Sequence, residues 1–339
     1  MNMKEEQIGQ DQPFGQENYL NESNDEPKIS YFGQFGLLLG FTGGGLILGS
    51  LAFLLIWTMM TGSSPLHIEK DLLNPQFANA AKLAQLISSI FMFFVPAFFY
   101  ALIVNKKPLQ QLGFRRLATV KQVLLVVAIA LFGLLLSGAL SEINQLIPIS
   151  KKLAASFQKL EDNYSSEVMA MANMKNLGDY FITLLVIALT PAIVEETLFR
   201  GGFQQIFEKW FRNPWAAIIV TSIFFSIIHV SYYGFLSRAA LGVMLGLLFY
   251  YSRNIWLNIF MHFLNNGIAV TQLYIITRSG KITKEALDDN FHLGYTSILV
   301  TFFAIVILYG LFKSFKKESE KIGADKIDNM YSPSDNPFA

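Results

Sequence analysis

Cysteine is absent from all 339 residues. That one absence excludes disulfides, thiolate metal ligands and a cysteine nucleophile. Charge is scarce as well. Asp, Glu, Lys and Arg make up 15% of the chain, against about 25% in an ordinary soluble domain. The charge that exists nearly cancels, with 26 basic and 25 acidic residues, so no field of one sign is available to recruit a nucleic acid. The first thirty residues contain no basic stretch leading into a short apolar core, and no cleavable signal is expected. No internal repeat and no soluble domain stand out.

What is present is apolar. Hydrophobic residues reach 53%, mean hydropathy is +0.40, and phenylalanine alone contributes 31 residues. Runs long enough to cross about 30 Å of hydrocarbon, which takes about 20 helical residues, lie at 35–60, 83–104, 122–147, 181–205, 214–231, 235–252, 254–276 and 295–313. Backbone groups in lipid must be satisfied internally, and these runs lack the alternation of barrel strands. The expected fold is all-α: a polytopic membrane bundle of about eight transmembrane helices. The fifth and sixth runs are short and separated by only a few residues. Residues 1–34 read as a disordered cytoplasmic tail, 35–313 as the bundle with its working core at about 180–275, and 314–339 as a charged cytoplasmic tail.

Orientation follows the lysines and arginines of short loops. Lys106, Lys107, Arg115, Arg116 and Lys121 follow the second run, and Lys313, Lys316 and Lys317 follow the last. Both termini are therefore expected in the cytoplasm, with the chain multi-pass in the cell membrane. Residues 148–180 run against the rule, because they count as external yet hold Lys151, Lys152, Lys159 and Lys175. Within them Leu153, Phe157 and Leu160 recur at helical spacing, which predicts a short interfacial helix. Gly45 with Gly49 and Gly242 with Gly246 are small-xxx-small pairs of the kind that lets membrane helices approach; by themselves they carry no chemistry.

Three polar groups interrupt the apolar runs. The first is Pro191-Ala192-Ile193-Val194-Glu195-Glu196-Thr197-Leu198-Phe199-Arg200-Gly201. Each ionisable residue at mid-bilayer depth costs about 2.5–3.5 kcal/mol on insertion scales. Glu196 and Arg200 are i and i+4, the favourable order for an ion pair. Glu195 is rotated about 100° away and is free to face the bundle interior as a general base. A structural Glu–Arg clamp between helices is the competing reading, but one arginine does not plainly serve two glutamates. The second group is Phe225 and His229, again i and i+4; an interfacial or core histidine would look the same. The third aligns Asn258, His262 and Asn266 on one helix face, where a packing network is an equal alternative. Taken together, a base, a histidine to share its water and neutral or cationic donors suit the attack of water on a carbonyl.

At these residues the sequence resembles the CAAX protease and bacteriocin-processing family, the type II CAAX prenyl endopeptidase group of intramembrane proteases. That group carries Glu-Glu-xxx-Arg, Phe-xxx-His and His-xxx-Asn motifs on successive membrane helices, and all three stand here, over roughly residues 180–275. The resemblance implies an intramembrane endopeptidase in which Glu195 activates water, His229 holds that water, and His262 with Asn266 forms the oxyanion hole. Glu196 and Arg200 would fix the helix and tune Glu195, with Phe225 supporting. It implies a peptide or lipidated-protein substrate within the lipid bilayer and no nucleic-acid partner. It favours catalysis without a cofactor, although Glu195, His229 and His262 could in principle form a His₂Glu zinc site. Asparagine is a poor zinc ligand and a good oxyanion donor. A membrane-embedded binding or immunity protein and a proton-coupled transporter are the rival classes. The first needs no free base, and the second lacks inverted repeats here.

Depth poses a difficulty. From the run boundaries, Glu195 and His262 fall within about 8–12 Å of the cytoplasmic face and His229 about 22 Å from it, at 1.5 Å per residue. The mechanism requires them to meet.

Overall fold

A computed structural model describes residues 29–115, 118–171, 174–278, 294 and 296–322. Every regular element among the described residues is helical. We label the longer ones α1 (Tyr31–Thr61), α2 (Pro75–Val104), α3 (Val120–Gln145), α4 (Lys151–Met171), α5 (Leu177–Phe211), α6 (Pro214–Ile227), α7 (Phe235–Ser252), α8 (Ile255–Arg278) and α9 (Thr296–Glu320). All but α4 and α6 are long and apolar enough to cross a membrane, seven among the described residues. The protein is an integral membrane helical bundle.

Local chemistry sets several of the helix ends. Ser30 accepts the Gly33 N–H at 3.1 Å and starts α1, four residues before the expected start at 35. Thr119 and Gln122 form a reciprocal capping box at α3, satisfying two orphan donors. Asn213 caps α6, with Pro214 in its first turn. The tail placed at residues 1–34 lies outside the described residues up to residue 28. The tail placed at 314–339 is helical as far as Glu320, because Phe315 is buried and Glu318 and Ser319 bond to Thr119 and Gln122 of the α3 cap; residues 323–339 lie outside the described residues.

The eight expected spans become seven by length, and α6 makes the difference. It ends at Ile227 rather than 231, and its 14 residues rise only about 21 Å. It packs antiparallel to α7. Ser226 donates to the Phe235 carbonyl at 2.7 Å, Ser222 lies against Gly242, and Ile218 lies against Gly246. The pair therefore returns the chain to the side on which α5 ends. A β-carbon at Gly242 would come within 2.9 Å of the Ser222 Cα, so glycine is what permits this close approach.

Two large apolar cores result, with three smaller clusters beside them. One joins α3, α7, α8 and α9 through residues such as Ile129, Leu248, Met261 and Phe315. The other joins α1, α2, α5 and α6 through Leu38, Tyr100, Phe203 and Phe225. Helices α5 and α8 meet at the seam between these cores, and the polar residues lie there. The segment expected to form a short helix is α4, longer than its three apolar residues suggested. Phe157 stacks on Tyr232 with ring centroids 4.9 Å apart, and Ser231 donates to Glu161 at 2.8 Å. Helix α4 thus lies against the loop between α6 and α7.

Candidate active site

Helix α5 carries the two glutamates on an α-helical stretch, Thr190–Leu198, bracketed by π turns at Leu184–Leu189 and Phe199–Gln204. Thr190 spans the first of them, its hydroxyl donating to the Leu185 carbonyl at 2.8 Å. Single π turns inside α-helices occur often at functional sites, since they re-aim the side chains on either side.

Glu196 is saturated. Its Oε1 accepts from Arg200 Nη1 at 2.8 Å and from His262 Nδ1 at 2.8 Å, and its Oε2 accepts from Asn258 Nδ2 at 3.3 Å. Glu196 and Arg200 are both 0% exposed, and His262 is 3% exposed. Arg200 also donates from Nη2 to the Gly242 carbonyl at 3.1 Å, and its guanidinium lies 4.9 Å from the Phe225 ring centroid. Asn258 gives a second bond to the Leu245 carbonyl at 2.6 Å. The i, i+4 pair of Glu196 and Arg200 is present, and three helices are tied through it. A buried ion pair endures best when further hydrogen bonds satisfy its remaining atoms; both oxygens of Glu196 are bonded, whereas Nε of Arg200 and Oδ1 of Asn258 are buried without a partner.

Glu195 is different. Its Oε2 is buried with no hydrogen-bond partner. The nearest basic group is His229, whose Nε2 stands 4.0 Å from that oxygen. His229 lies two residues past the end of α6, in the turn that follows, with its Nδ1 2.7 Å from the Phe225 carbonyl and its ring 4.7 Å from the Phe225 ring. A carbonyl only accepts, so Nδ1 carries a proton; in the neutral ring Nε2 then presents a lone pair towards Glu195. Both side chains are partly open, at 14% and 28%. The next residue, Val230, has φ of 49°, a left-handed conformation that is strained for a β-branched side chain. This turn fixes where the imidazole emerges.

The depth difficulty disappears for a physical reason. Helix α5 runs to Phe211, six residues beyond the expected end at 205. Glu195 therefore sits about 24 Å above the helix end, level with His229 at about 22 Å above Pro214. Helix α8 starts higher, because Arg253 pairs with Glu208, one turn inside the end of α5.

Of the sequence-predicted residues, Glu195, Glu196, Arg200, Phe225, His229 and His262 come together. Phe225 lies between the two histidines, its ring 6.0 Å from that of His262. Asn266 lies one turn beyond His262 on α8; its Oδ1 accepts from Asn265 at 3.1 Å, and no hydrogen bond ties it to either glutamate. Among the described residues no three His, Cys, Asp or Glu side chains are arranged to hold one metal ion. Sequence reasoning missed four contributors. Asn258 binds Glu196. The carbonyl of Gly242 receives Arg200, and that of Gly246 receives Gln204 at 3.0 Å. Arg238, in the first turn of α7, lays its guanidinium over Gly234, five residues past His229. The i, i+4 series Glu196, Arg200, Gln204, Glu208 was a signal within reach, as was an arginine at the edge of an apolar run.

A helical membrane bundle with a buried carboxylate–imidazole centre is the class these observations define. In comparison with family models, residues 177–268 match the model described as Type II CAAX prenyl endopeptidase Rce1-like, a membrane protease family to which this segment is similar. The match falls on α5 to α8 and includes every predicted site residue. No curated protein and no solved structure matches the chain.

Proposed function

We propose that the protein is an intramembrane endopeptidase in which Glu195 activates water for attack on a peptide carbonyl. One observation carries the reading: of two adjacent glutamates, one is saturated by an arginine, a histidine and an asparagine, while the other has a buried oxygen with nothing donating to it, 4.0 Å from Nε2 of His229. Two acceptors 4.0 Å apart require a shared donor, and one water molecule bonding both satisfies them. That water keeps a lone pair for the carbonyl, and Glu195 takes its proton as the bond forms.

Charge then develops on the carbonyl oxygen. His262 directs Nδ1 to Glu196, so a donation from this ring to the oxyanion uses a proton on Nε2. Asn266 has an amide NH₂ uncommitted once its oxygen is bonded to Asn265, and it supplies the second donor. The tetrahedral intermediate collapses when the proton passes from Glu195 to the leaving amine. This hydrolysis uses a carboxylate base and no cofactor. The substrate is a peptide or lipidated protein, and the family match makes a prenylated-cysteine peptide the first probe. The working membrane is the cell membrane, with both termini in the cytoplasm. Single cysteines introduced at Lys107 and at Lys317 of this cysteine-free chain should both label only from the cytoplasmic side.

The test is cleavage of a farnesylated-cysteine peptide by the full chain in liposomes. Glu195→Gln should lower turnover at least about 100-fold while the protein remains monodisperse and folded. Wild-type turnover should survive a chelator. Retained turnover in Glu195→Gln removes the base assignment, and inhibition by chelator that zinc reverses would replace it with a metal mechanism.

A further inference from the structure

Arg238 is the charged group near the site that the mechanism leaves unused. It stands in the first turn of α7, nine residues after His229 and on the same loop-to-helix connection. Its backbone N–H bonds to the Gly234 carbonyl at 3.0 Å. The side chain folds back over that glycine, so closely that a β-carbon at Gly234 would overlap Nη1. The guanidinium is thereby seated on the loop that carries His229. Nη1 is buried and has no hydrogen-bond partner, yet the residue as a whole is half-buried, which leaves the group approachable. No carboxylate of the described residues forms an ion pair with it.

A buried guanidinium nitrogen without a partner costs stability. Its neighbours do not compensate. Glu196 belongs to Arg200, and Glu195 has to remain unpaired to act as a base. Among the described residues Arg238 is therefore left without an ion-pair partner, its Nη1 buried and unbonded. A planar five-donor fork beside a hydrolytic centre matches a carboxylate bidentately.

We propose that Arg238 is a specificity residue that binds a carboxylate of the peptide substrate, held in place by the open face of Gly234. The carboxylate comes from the chain terminus or from an acidic side chain close to the scissile bond. The proposal rests on the peptidase reading above. It differs from that reading in placing the recognition of charge on α7, outside the three motifs.

Three forms of one farnesylated-cysteine peptide ending in three apolar residues separate the possibilities: free acid, C-terminal amide, and amide with glutamate as its last residue. Binding is measured on full-length Glu195→Gln protein in liposomes, where nothing turns over, and cleavage on the wild-type protein. The free acid should bind about 10- to 100-fold more tightly than the plain amide, the scale of one charge-assisted hydrogen bond. Adding Arg238→Gln should bring that ratio to about one, Arg238→Lys should keep part of it, and in cleavage the loss should fall on KM for the free acid. Gly234 has φ of −92°, which alanine adopts, so Gly234→Ala displaces the guanidinium without straining the backbone. It should reproduce Arg238→Gln, which guards against a variant that merely fails to fold. If the glutamate-bearing amide binds like the free acid, the side-chain source is the one used. Equal binding of all three peptides overturns the proposal. So does a fall in kcat by the same factor for acid and amide with the binding ratio kept, which would make Arg238 a donor to the oxyanion. Binding that prefers the carboxylate without any cleavage would overturn the peptidase reading and leave this assignment standing.

Discussion

Two adjacent residues on one helix live in opposite environments. Glu196 has every oxygen bonded, no exposure, and partners from α5 and α8. Glu195, about 100° around the helix, has a buried oxygen with no donor and opens towards His229. Side chains of the same chemistry are thus divided between holding the bundle together and being available to react. Natural proteins satisfy nearly all their buried polar groups, so an unsatisfied one beside a satisfied twin marks where stability has been given up.

That contrast is open to attack by mutation. The largest effect belongs to the saturated side. Arg200→Met leaves Glu196 ionised in a dry interior and also removes the bond to the Gly242 carbonyl. It should cost about 3–5 kcal/mol, seen as a lowered thermal midpoint and lost monodispersity in detergent. Glu195→Gln, one residue from that pair's acid, should change stability by less than about 0.5 kcal/mol or raise it, since it removes an unpartnered charge. Equal losses in the two variants would erase the distinction. Next comes Gly242→Ala, whose added carbon would meet the Ser222 backbone at 2.9 Å. It should cost about 1–3 kcal/mol by pushing α7 from α6 and moving the carbonyl that receives Arg200. The smallest effect belongs to the open side. Phe157→Ala removes the ring stacked on Tyr232 and should weaken the seating of α4 by about 0.5–1.5 kcal/mol. Faster hydrogen exchange within α4, without a change in the global thermal midpoint, is the expected signature.

Much of this was legible in one dimension. The apolar runs gave the helices because lipid offers the backbone no other partner. The i, i+4 spacing gave the Glu196–Arg200 pair and the shared face of Phe225 and His229 because helical geometry alone places them together. That a helix would form at α4 was visible from Leu153, Phe157 and Leu160. The errors arose at helix ends. Hydropathy does not register that α5 passes through two π turns and continues to Phe211, or that α6 stops at Ile227 with a strained Val230 to follow. The resulting shift of several residues put His229 and Glu195 at different depths on paper. Asn258 was seen as part of a stripe but not as the partner of Glu196, and Arg238 was passed over because its run looked like any other span.

The order of residues along the chain determined which groups could share a helix face, because that depends only on a fixed rise and rotation per residue. It also determined that the chain would dwell in lipid, because the balance of apolar to charged groups is a sum that needs no coordinates. Which of two neighbouring glutamates would be neutralised was decided in three dimensions. Asn258 and His262 arrive from a helix more than sixty residues away, and only the packing of α5 against α8 brings their donors to Glu196 and withholds them from Glu195.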